Sequence, residues 1–176
     1  MIFRESKLKG AFLITLKPAV DERGSFTRTF CQATFEEQGL VSTYVQNSIS
    51  TNRLKGTLRG MHYQEEPAAE TKLIQCLRGV VYDVIIDLRP QSPTCCCWES
   101  FELSAENNQV LYVPAGFAHG FLTLAPDTAL YYMISAQYTP DLARGVRFDD
   151  PAFGIKWPEI KPIMAEKDRL WPDYKR

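Results

Sequence analysis

The stretch Val80-Val-Tyr-Asp-Val-Ile-Ile-Asp-Leu88 carries the strongest structural signal in this 176-residue sequence. It is rich in β-branched residues and reads as a strand that is buried on both faces. Other short apolar or alternating runs, each bounded by Gly, Pro, Asn or Asp, lie on both sides of it. They cover residues 11–16, 72–77, 98–103, 109–113, 120–124 and 129–134.

Helical patterning is confined to residues 32–38 and to a short turn near Glu166. Many short strands with almost no intervening helix indicate an all-β sandwich or barrel, and we predict a jelly roll. The sequence contains no repeat, low-complexity segment or linker. We therefore expect residues 1–176 to form a single domain.

The charge balance excludes several classes of partner. Twenty basic residues face 21 acidic ones, so the chain lacks the strong field of a protein that binds nucleic acid or an anionic membrane. The N-terminal segment is too charged for a signal peptide, and no apolar run approaches the ~20 residues of a membrane helix. These features predict a cytoplasmic protein.

The five cysteines do not form the spaced pairs of a zinc site or an even disulfide framework. Cys31 and Cys76 stand alone, and the other three are consecutive at positions 95–97. Adjacent strand residues point to opposite faces, so three consecutive thiols cannot converge on one ion. We expect all five to be reduced thiols.

The two histidines lie in glycine-containing segments, LRGMHYQ at residues 58–64 and PAGFAHG at residues 114–120. They could share a metal, provide a catalytic base, or serve as unrelated core residues. The Pro114-x-Gly-x-x-His119 spacing resembles the second motif of the cupin superfamily, whose barrels often hold a metal. Such cupins usually add His-x-His and a glutamate, whereas this chain has His62 and Gln64. We therefore predict no metal and no other cofactor, and His62 becomes a candidate base.

Lys72 has the same strand parity as Ile74 and Cys76, so the three side chains should share one face. If that face is the interior, Lys72 is a buried cation, which is rare unless the lysine is paired or functional. Alternatively, its long stem could carry the ammonium to solvent.

Several stretches in the same order resemble the dTDP-4-dehydrorhamnose 3,5-epimerase family of metal-free cupins, over nearly the whole chain. They are DERGSF (21–26), LRGMHYQ (58–64), KLIQCLRGVVYDVIIDLRPQSPT (72–94), LSAEN (103–107), VPAGFAHGF (113–121) and DDPAFGIKWP (149–158). The resemblance implies a cupin-type jelly-roll barrel with a few short helices. It also implies an isomerase that inverts carbons 3 and 5 of a nucleotide-linked 4-keto-6-deoxyhexose through an enolate.

That chemistry needs a base on one face of the sugar, an acid on the other, a cation near the enolate oxygen and a clamp for the diphosphate. By resemblance, His62 is the base and Asp168 is the carboxylate that fixes its tautomer. Tyr132 is the acid, with its neighbour Tyr131 as the alternative register, and Lys72 is the cation.

The resemblance also implies a substrate-binding set. Arg59 and Arg23 match residues that contact the diphosphate, and Phe26 matches a residue of the nucleotide pocket. His119 matches a second pocket histidine that binds the sugar or shapes the site. The DERGSF segment matches an N-terminal arm that joins the partner subunit's sheet, which implies a homodimer with exchanged strands and shared sites.

Two departures from the family bear on the substrate. Arg28 stands where thymidine-type members usually carry glutamate, which replaces an acceptor by a donor and suggests a CDP-linked sugar instead of a dTDP-linked one. QNSIS replaces the usual QDNHS, so that Gln46 is kept and the substrate contact around Ser48 changes. Three further alternatives are an epimerase acting at carbon 3 or 5 alone, a metal-dependent cupin enzyme and a non-catalytic sugar-binding cupin.

Overall fold

The computed structural model describes residues 1–175, and over these residues the chain is mostly β. Its strands are short and follow one another closely, as the turn signals in the sequence predict. They are β1 (Ile2–Glu5), β2 (Phe12–Thr15), β3 (Ala19–Asp21), β4 (Gly24–Phe26), β5 (Gln46–Asn52), β6 (Leu58–Gln64), β7 (Lys72–Arg78), β8 (Val80–Asp87), β9 (Trp98–Ser104), β10 (Gln109–Val113), β11 (Phe117–Thr123), β12 (Thr128–Ile134) and β13 (Ala143–Gly145).

Eight of these strands form a jelly roll. The order β5-β12-β7-β10 in one antiparallel sheet faces the order β6-β11-β8-β9 in the other, so the chain crosses repeatedly between the two sheets. β1 and β2 extend the first sheet beyond β10, and β13 extends the second beyond β6. The all-β, jelly-roll prediction is confirmed. In the described part of the chain the strands form two facing sheets and not one closed hydrogen-bonded barrel.

The main core lies between the two sheets. Ile74 and Leu130 from the first sheet pack in one buried cluster with Ile85, Leu103 and Phe121 from the second. Inward-facing residues from both sheets therefore fill a single interior, as two packed sheets require.

The outer faces of the sheets are covered as well. Val84 and Ile86 of β8 belong to a second buried cluster, beneath the C-terminal residues Phe153 and Trp157. Because Ile85 faces the main core, β8 is buried on both faces, as its β-branched composition predicts. A third cluster around Phe35 covers the outer face of the first sheet.

The helices are few and short, as predicted. They are α1 (Gln32–Glu37), α2 (Glu166–Arg169) and a 3₁₀ turn at Pro140–Leu142. No helix within residues 1–175 is long and apolar enough to cross a membrane. Within residues 1–175 no disulfide joins any of the five cysteines.

The β3–β4 hairpin is set apart from the two sheets. Its strands pair only with each other in the described chain, and all six of their residues are exposed. Val20 is 76% exposed and Phe26 77%, a high exposure for apolar side chains. This hairpin lies within the segment expected to serve as an exchanged N-terminal arm.

Candidate functional site

A cavity of about 780 Å³ opens between the two sheets. Strands β5, β7 and β12 of one sheet and β6 and β11 of the other contribute to its wall, and Lys167, Leu170 and Trp171 close one side. Seven of the predicted site residues line this cavity: Gln46, Ser48, Arg59, His62, Lys72, His119 and Tyr132.

His62 and Asp168 form a hydrogen-bonded dyad at the wall of the cavity. The His62 Nε2 atom lies 2.7 Å from Asp168 Oδ1, and the backbone N–H of Gly60 donates to Oδ2 of the same carboxylate at 3.4 Å. Because a carboxylate accepts, Nε2 carries the ring hydrogen and Nδ1 keeps the free lone pair.

The charge of Asp168 is set by two opposing effects. Burial alone would raise the pKa of this carboxyl, but the hydrogen bond and charge interaction with His62, aided by Gly60 N–H and Lys167, lower it below the usual value. Asp168 therefore stays ionised at neutral pH and can hold the imidazole in one tautomer.

Tyr132 enters the cavity from the opposite sheet. Its ring meets that of His119 edge-on at 5.9 Å, whereas Tyr131 lines a small cleft on the other face of β12 with Met133. Burial, and then the nearby Asp83, raise the pKa of the Tyr132 phenol well above 10. The phenol is therefore a protonated donor, and the strand register places Tyr132, not Tyr131, in the cavity.

Lys72 is 7% exposed, which agrees with the buried alternative of the parity argument and not with a stem that reaches solvent. Its Nζ atom lies 2.9 Å from Glu70 Oε1 and donates to the backbone carbonyl of His62 at 3.1 Å. The ion pair with Glu70 explains how a lysine can be buried here.

His119 is paired with a carboxylate that lies in the middle of an apolar strand. Its Nε2 atom is 3.0 Å and 2.9 Å from the two carboxylate oxygens of Asp83, which is fully buried. Burial raises the pKa of Asp83, while His119 and Lys72 act in the opposite direction.

Two glycines allow the strands that carry both histidines to approach closely. A Cβ at Gly60 would lie 2.5 Å from the Cα of Gly120. Gly60 also has a backbone φ of +124°, which residues other than glycine rarely adopt. Across this contact β11 pairs with β6 so that His119 lies opposite His62. The glycines in LRGMHYQ and PAGFAHG thus bring the two histidines together.

Three polar residues complete the predicted wall. Arg59 Nε donates to Asn52 Oδ1 at 2.8 Å, which leaves its two terminal amino groups free of that contact. Gln46 Oε1 accepts from the backbone N–H of Tyr138 at 2.7 Å, and Ser48 pairs with Tyr132 across β5 and β12.

The protomer does not bring Arg23, Phe26 and Arg28 to the cavity. Arg23 is paired with Asp21 at 2.6 Å on the exposed β3–β4 hairpin, and Phe26 and Arg28 are also exposed to solvent. The expectation that these residues bind substrate therefore depends on a second subunit.

Sequence reasoning missed several residues at the site. Glu70, Tyr138, Arg144 and Trp171 also line the cavity, and Asp83 supports it from behind. Asp83 left a signal, since it is the charged residue in the middle of the most apolar strand. The C-terminal lining residues Lys167, Leu170 and Trp171 gave no such signal, because they lie outside the quoted family stretches and in no predicted strand.

Both histidines of the cavity use one ring nitrogen for a protein partner. His62 and His119 each bind a carboxylate through Nε2, and Gln64 bonds to the loops around it. Within residues 1–175 no group of three or more His, Cys, Asp or Glu side chains is placed to hold a metal ion.

Comparison with known proteins agrees with this geometry. The family described as dTDP-4-dehydrorhamnose 3,5-epimerase matches residues 5–176. The protein of that name from Sinorhizobium fredii (strain NBRC 101917 / NGR234) is 42% identical over 173 residues, 98% of this chain and 89% of that protein.

Solved structures also resemble this chain over nearly its whole length. The dTDP-4-dehydrorhamnose 3,5-epimerase of Bacillus anthracis, with TDP and PPi bound, has a TM-score of 0.95 and 40% identity, covering 98% of this chain and 99% of that one. The Legionella pneumophila enzyme in complex with dTDP-4-keto-L-rhamnose has a TM-score of 0.90 and 32% identity, covering 99% of both chains. The site, the fold and these similarities together show that the chain belongs to the dTDP-4-dehydrorhamnose 3,5-epimerase family.

Proposed function

We propose that this protein is a dTDP-4-dehydrorhamnose 3,5-epimerase that inverts carbons 3 and 5 of a dTDP-linked 4-keto-6-deoxyhexose without a cofactor. One observation carries the proposal. His62, from the five-stranded sheet, and Tyr132, from the six-stranded sheet, enter one cavity from opposite sides. An inversion needs this arrangement, because a proton leaves from one face of the carbon and returns to the other.

The first step is removal of a proton next to the keto group. With Nε2–H bound to Asp168, the free Nδ1 atom of His62 accepts the proton from carbon 3 or carbon 5. The imidazolium that forms is stabilised by the ionised carboxylate 2.7 Å away.

The resulting enolate carries negative charge on the keto oxygen. Lys72 supplies a buried ammonium in the same cavity, where a cation acts more strongly than in water. The second step is protonation of the carbon from the opposite face by the Tyr132 phenol, whose raised pKa keeps its hydrogen available. Before the second carbon reacts, the His62 imidazolium releases its proton to solvent and the Tyr132 phenolate takes one up, which restores both groups.

Substrate binding is assigned to the polar rim of the cavity. The terminal amino groups of Arg59 suit paired phosphate oxygens. Gln46, Ser48 and His119 line the same cavity, and we assign them to the sugar. We propose that Arg23 and Phe26 reach this cavity from the β3–β4 hairpin of a second subunit in a homodimer. The hairpin is isolated from both sheets and exposes the apolar side chains of Val20 and Phe26, which supports this assignment.

The choice of nucleotide depends on Arg28, a donor at a position where the family usually has an acceptor. We expect dTDP, the nucleotide of the relatives in complex, and the alternative is CDP. Calorimetric titration with each nucleotide, on the wild type and on Arg28→Glu, distinguishes the two. Tighter binding of CDP by the wild type, reversed in the variant, would favour a CDP-linked substrate.

A cytoplasmic location is also part of the proposal. No disulfide joins the five cysteines in the described chain, which matches a reducing compartment.

Deuterium exchange tests the proposed function. The protein is incubated in D2O with dTDP-4-keto-6-deoxyglucose, and deuterium at carbons 3 and 5 is followed by NMR. Uptake at both carbons, abolished in His62→Ala and kept in Tyr131→Phe, is the expected result. Uptake at one carbon would identify an epimerase that acts at that carbon alone. No uptake with this substrate or with its CDP-linked counterpart would favour a binding protein or a metal-dependent activity.

A further inference from the structure

We propose that Glu70 is a positioning residue that orients the Lys72 ammonium toward the substrate's keto oxygen. The inference rests on the proposed function and adds a residue to its machinery. Sequence patterning gave no indication of Glu70, which lies in the loop before β7.

The ammonium of Lys72 has three N–H donors. One is directed to Glu70 Oε1 at 2.9 Å, and a second to the backbone carbonyl of His62 at 3.1 Å. These two contacts fix the rotation of the ammonium and leave one donor for a ligand in the cavity. The second contact also ties Lys72 to the backbone of the proposed base, so that the base and the cation keep a constant spacing.

Glu70 is itself held in place. Its Oε2 atom accepts from Gln64 Nε2 at 2.9 Å, and Gln64 is 3% exposed. The two hydrogens of the same amide nitrogen are shared with the carbonyls of Ala68 at 3.0 Å and Gln137 at 3.2 Å, and the Gln64 oxygen accepts from the N–H of Thr139 at 2.7 Å. Gln64 thus fastens two loops and the carboxylate to the end of β6.

The charges explain why a carboxylate can lie beside a cation that stabilises an anion. The Lys72 and Glu70 side chains are only 9% and 11% exposed, and an unpaired ammonium at that depth would be costly. Without Glu70, the long lysine stem has several rotamers that move the charge away from the site. The Glu70 carboxylate weakens the positive field of the Lys72 ammonium at the keto oxygen. A donor that is already oriented needs no reorganisation when the enolate forms, and this gain outweighs the weaker field.

The test compares Glu70→Gln and Glu70→Ala with the control Glu5→Gln. The control breaks the other Lys–Glu pair, in which Glu5 lies 3.1 Å from Lys9 on the exposed surface. Three quantities are measured for each full-length protein: kcat and KM for epimerisation, the Kd of dTDP by calorimetry, and Tm. Because dTDP lacks the 4-keto sugar, it has no group at the position assigned to Lys72, and its affinity should not depend on the orientation of that ammonium.

We expect kcat to fall about 10- to 100-fold in both Glu70 variants, since a displaced oxyanion donor affects the chemical step. The Kd of dTDP should stay within about twofold of the wild type, and Glu5→Gln should match the wild type in all three quantities. A kcat within about twofold of the wild type in Glu70→Ala would overturn the positioning role while the epimerase function stands. If the Glu70 variants lost dTDP affinity and Tm together with kcat, Glu70 would have a purely structural role, and the positioning proposal would also be overturned. A wild type with no deuterium exchange would remove both proposals together.

Discussion

The Nε2 atom of His62 lies 2.7 Å from Oδ1 of Asp168, although 106 residues separate them in the chain. The His62 side chain is 39% exposed toward the cavity, whereas that of Asp168 is 3% exposed behind it. The imidazole is therefore accessible from the cavity, where it can exchange a proton with a ligand, whereas the carboxylate is shielded from solvent and keeps its charge. Such an arrangement is suited to a base whose tautomer must not change during turnover.

The first prediction concerns that tautomer. Asp168→Asn keeps the shape of the side chain but allows its amide to donate to the histidine, so the other ring nitrogen becomes protonated. We expect kcat for epimerisation to fall by about 10²- to 10⁴-fold, by analogy with other His–Asp pairs. The measurement is deuterium uptake at carbons 3 and 5. Asp173→Asn, which alters an exposed carboxylate bonded to Arg147, serves as the control and should retain full activity.

The second prediction separates proton removal from proton return. Tyr132→Phe preserves the ring that packs on His119 but removes the only group assigned to the opposite face. His62 should still exchange its own proton with substrate, so deuterium should enter without inversion. We expect formation of the epimerised product to fall about 100-fold or more while exchange persists.

The neighbouring tyrosine provides a matched control for that result. Tyr131 lines a different cleft on the other face of β12, so Tyr131→Phe should epimerise like the wild type. Equal losses in the two variants would show that the strand register assigned to the acid is wrong.

Sequence patterning found the strands with strong periodicity and missed those without it. β8 and β7 were predicted because buried β-branched and aliphatic residues define their period. β5 was missed because its residues, QNSISTN, are polar, as expected for the last strand of a sheet with one exposed edge. β6 was missed because the glycine that permits its close approach to β11 weakens any strand signal.

The residues of the candidate site likewise divide into those that the sequence predicted and those that it did not. His62, Lys72 and Tyr132 were predicted through the family resemblance, and all three line one cavity. Glu70 and Asp83 were not, because a carboxylate that pairs with a buried cation or histidine has meaning only once the partner's position is known. Arg23 and Phe26 were predicted for the site, yet the protomer alone leaves them in solvent.

The third prediction concerns stability. Asp87 is fully buried, and its carboxylate accepts from Arg89 Nε at 2.8 Å and from Thr94 Oγ1 at 2.7 Å, among other donors. Burial opposes its ionisation, but these hydrogen bonds lower its pKa below the usual value. Asp87→Asn should therefore destabilise the protein by about 2 kcal/mol, or about 4–8 °C in Tm.

The pH dependence of that loss follows from the sign of the shift. A carboxyl with a lowered pKa in the folded state stabilises the fold above its unfolded pKa of ~3.9, and the contribution is lost as pH falls through the folded value. The difference in Tm between wild type and Asp87→Asn should thus be largest near neutral pH and shrink below about pH 4. Asp149→Asn, which alters an exposed pair with Arg147, should show little change at any pH. A difference that grew in acid would contradict the assigned direction of the pKa shift.

The last prediction tests whether two subunits share each site. His62→Ala removes the base from the body of the subunit, and Arg23→Ala with Phe26→Ala removes the contacts of the β3–β4 hairpin. Each variant alone should be nearly inactive. If the hairpin serves the partner's cavity, a mixed dimer contains one site with an intact body and an intact hairpin, so random mixing after reversible unfolding should restore about a quarter of the wild-type sites. Mixing His62→Ala with Asp168→Asn should restore nothing, because both changes lie in the body. Absence of recovery in the first mixture, with mixed dimers demonstrated by mass spectrometry, would mean that each hairpin serves its own subunit or none.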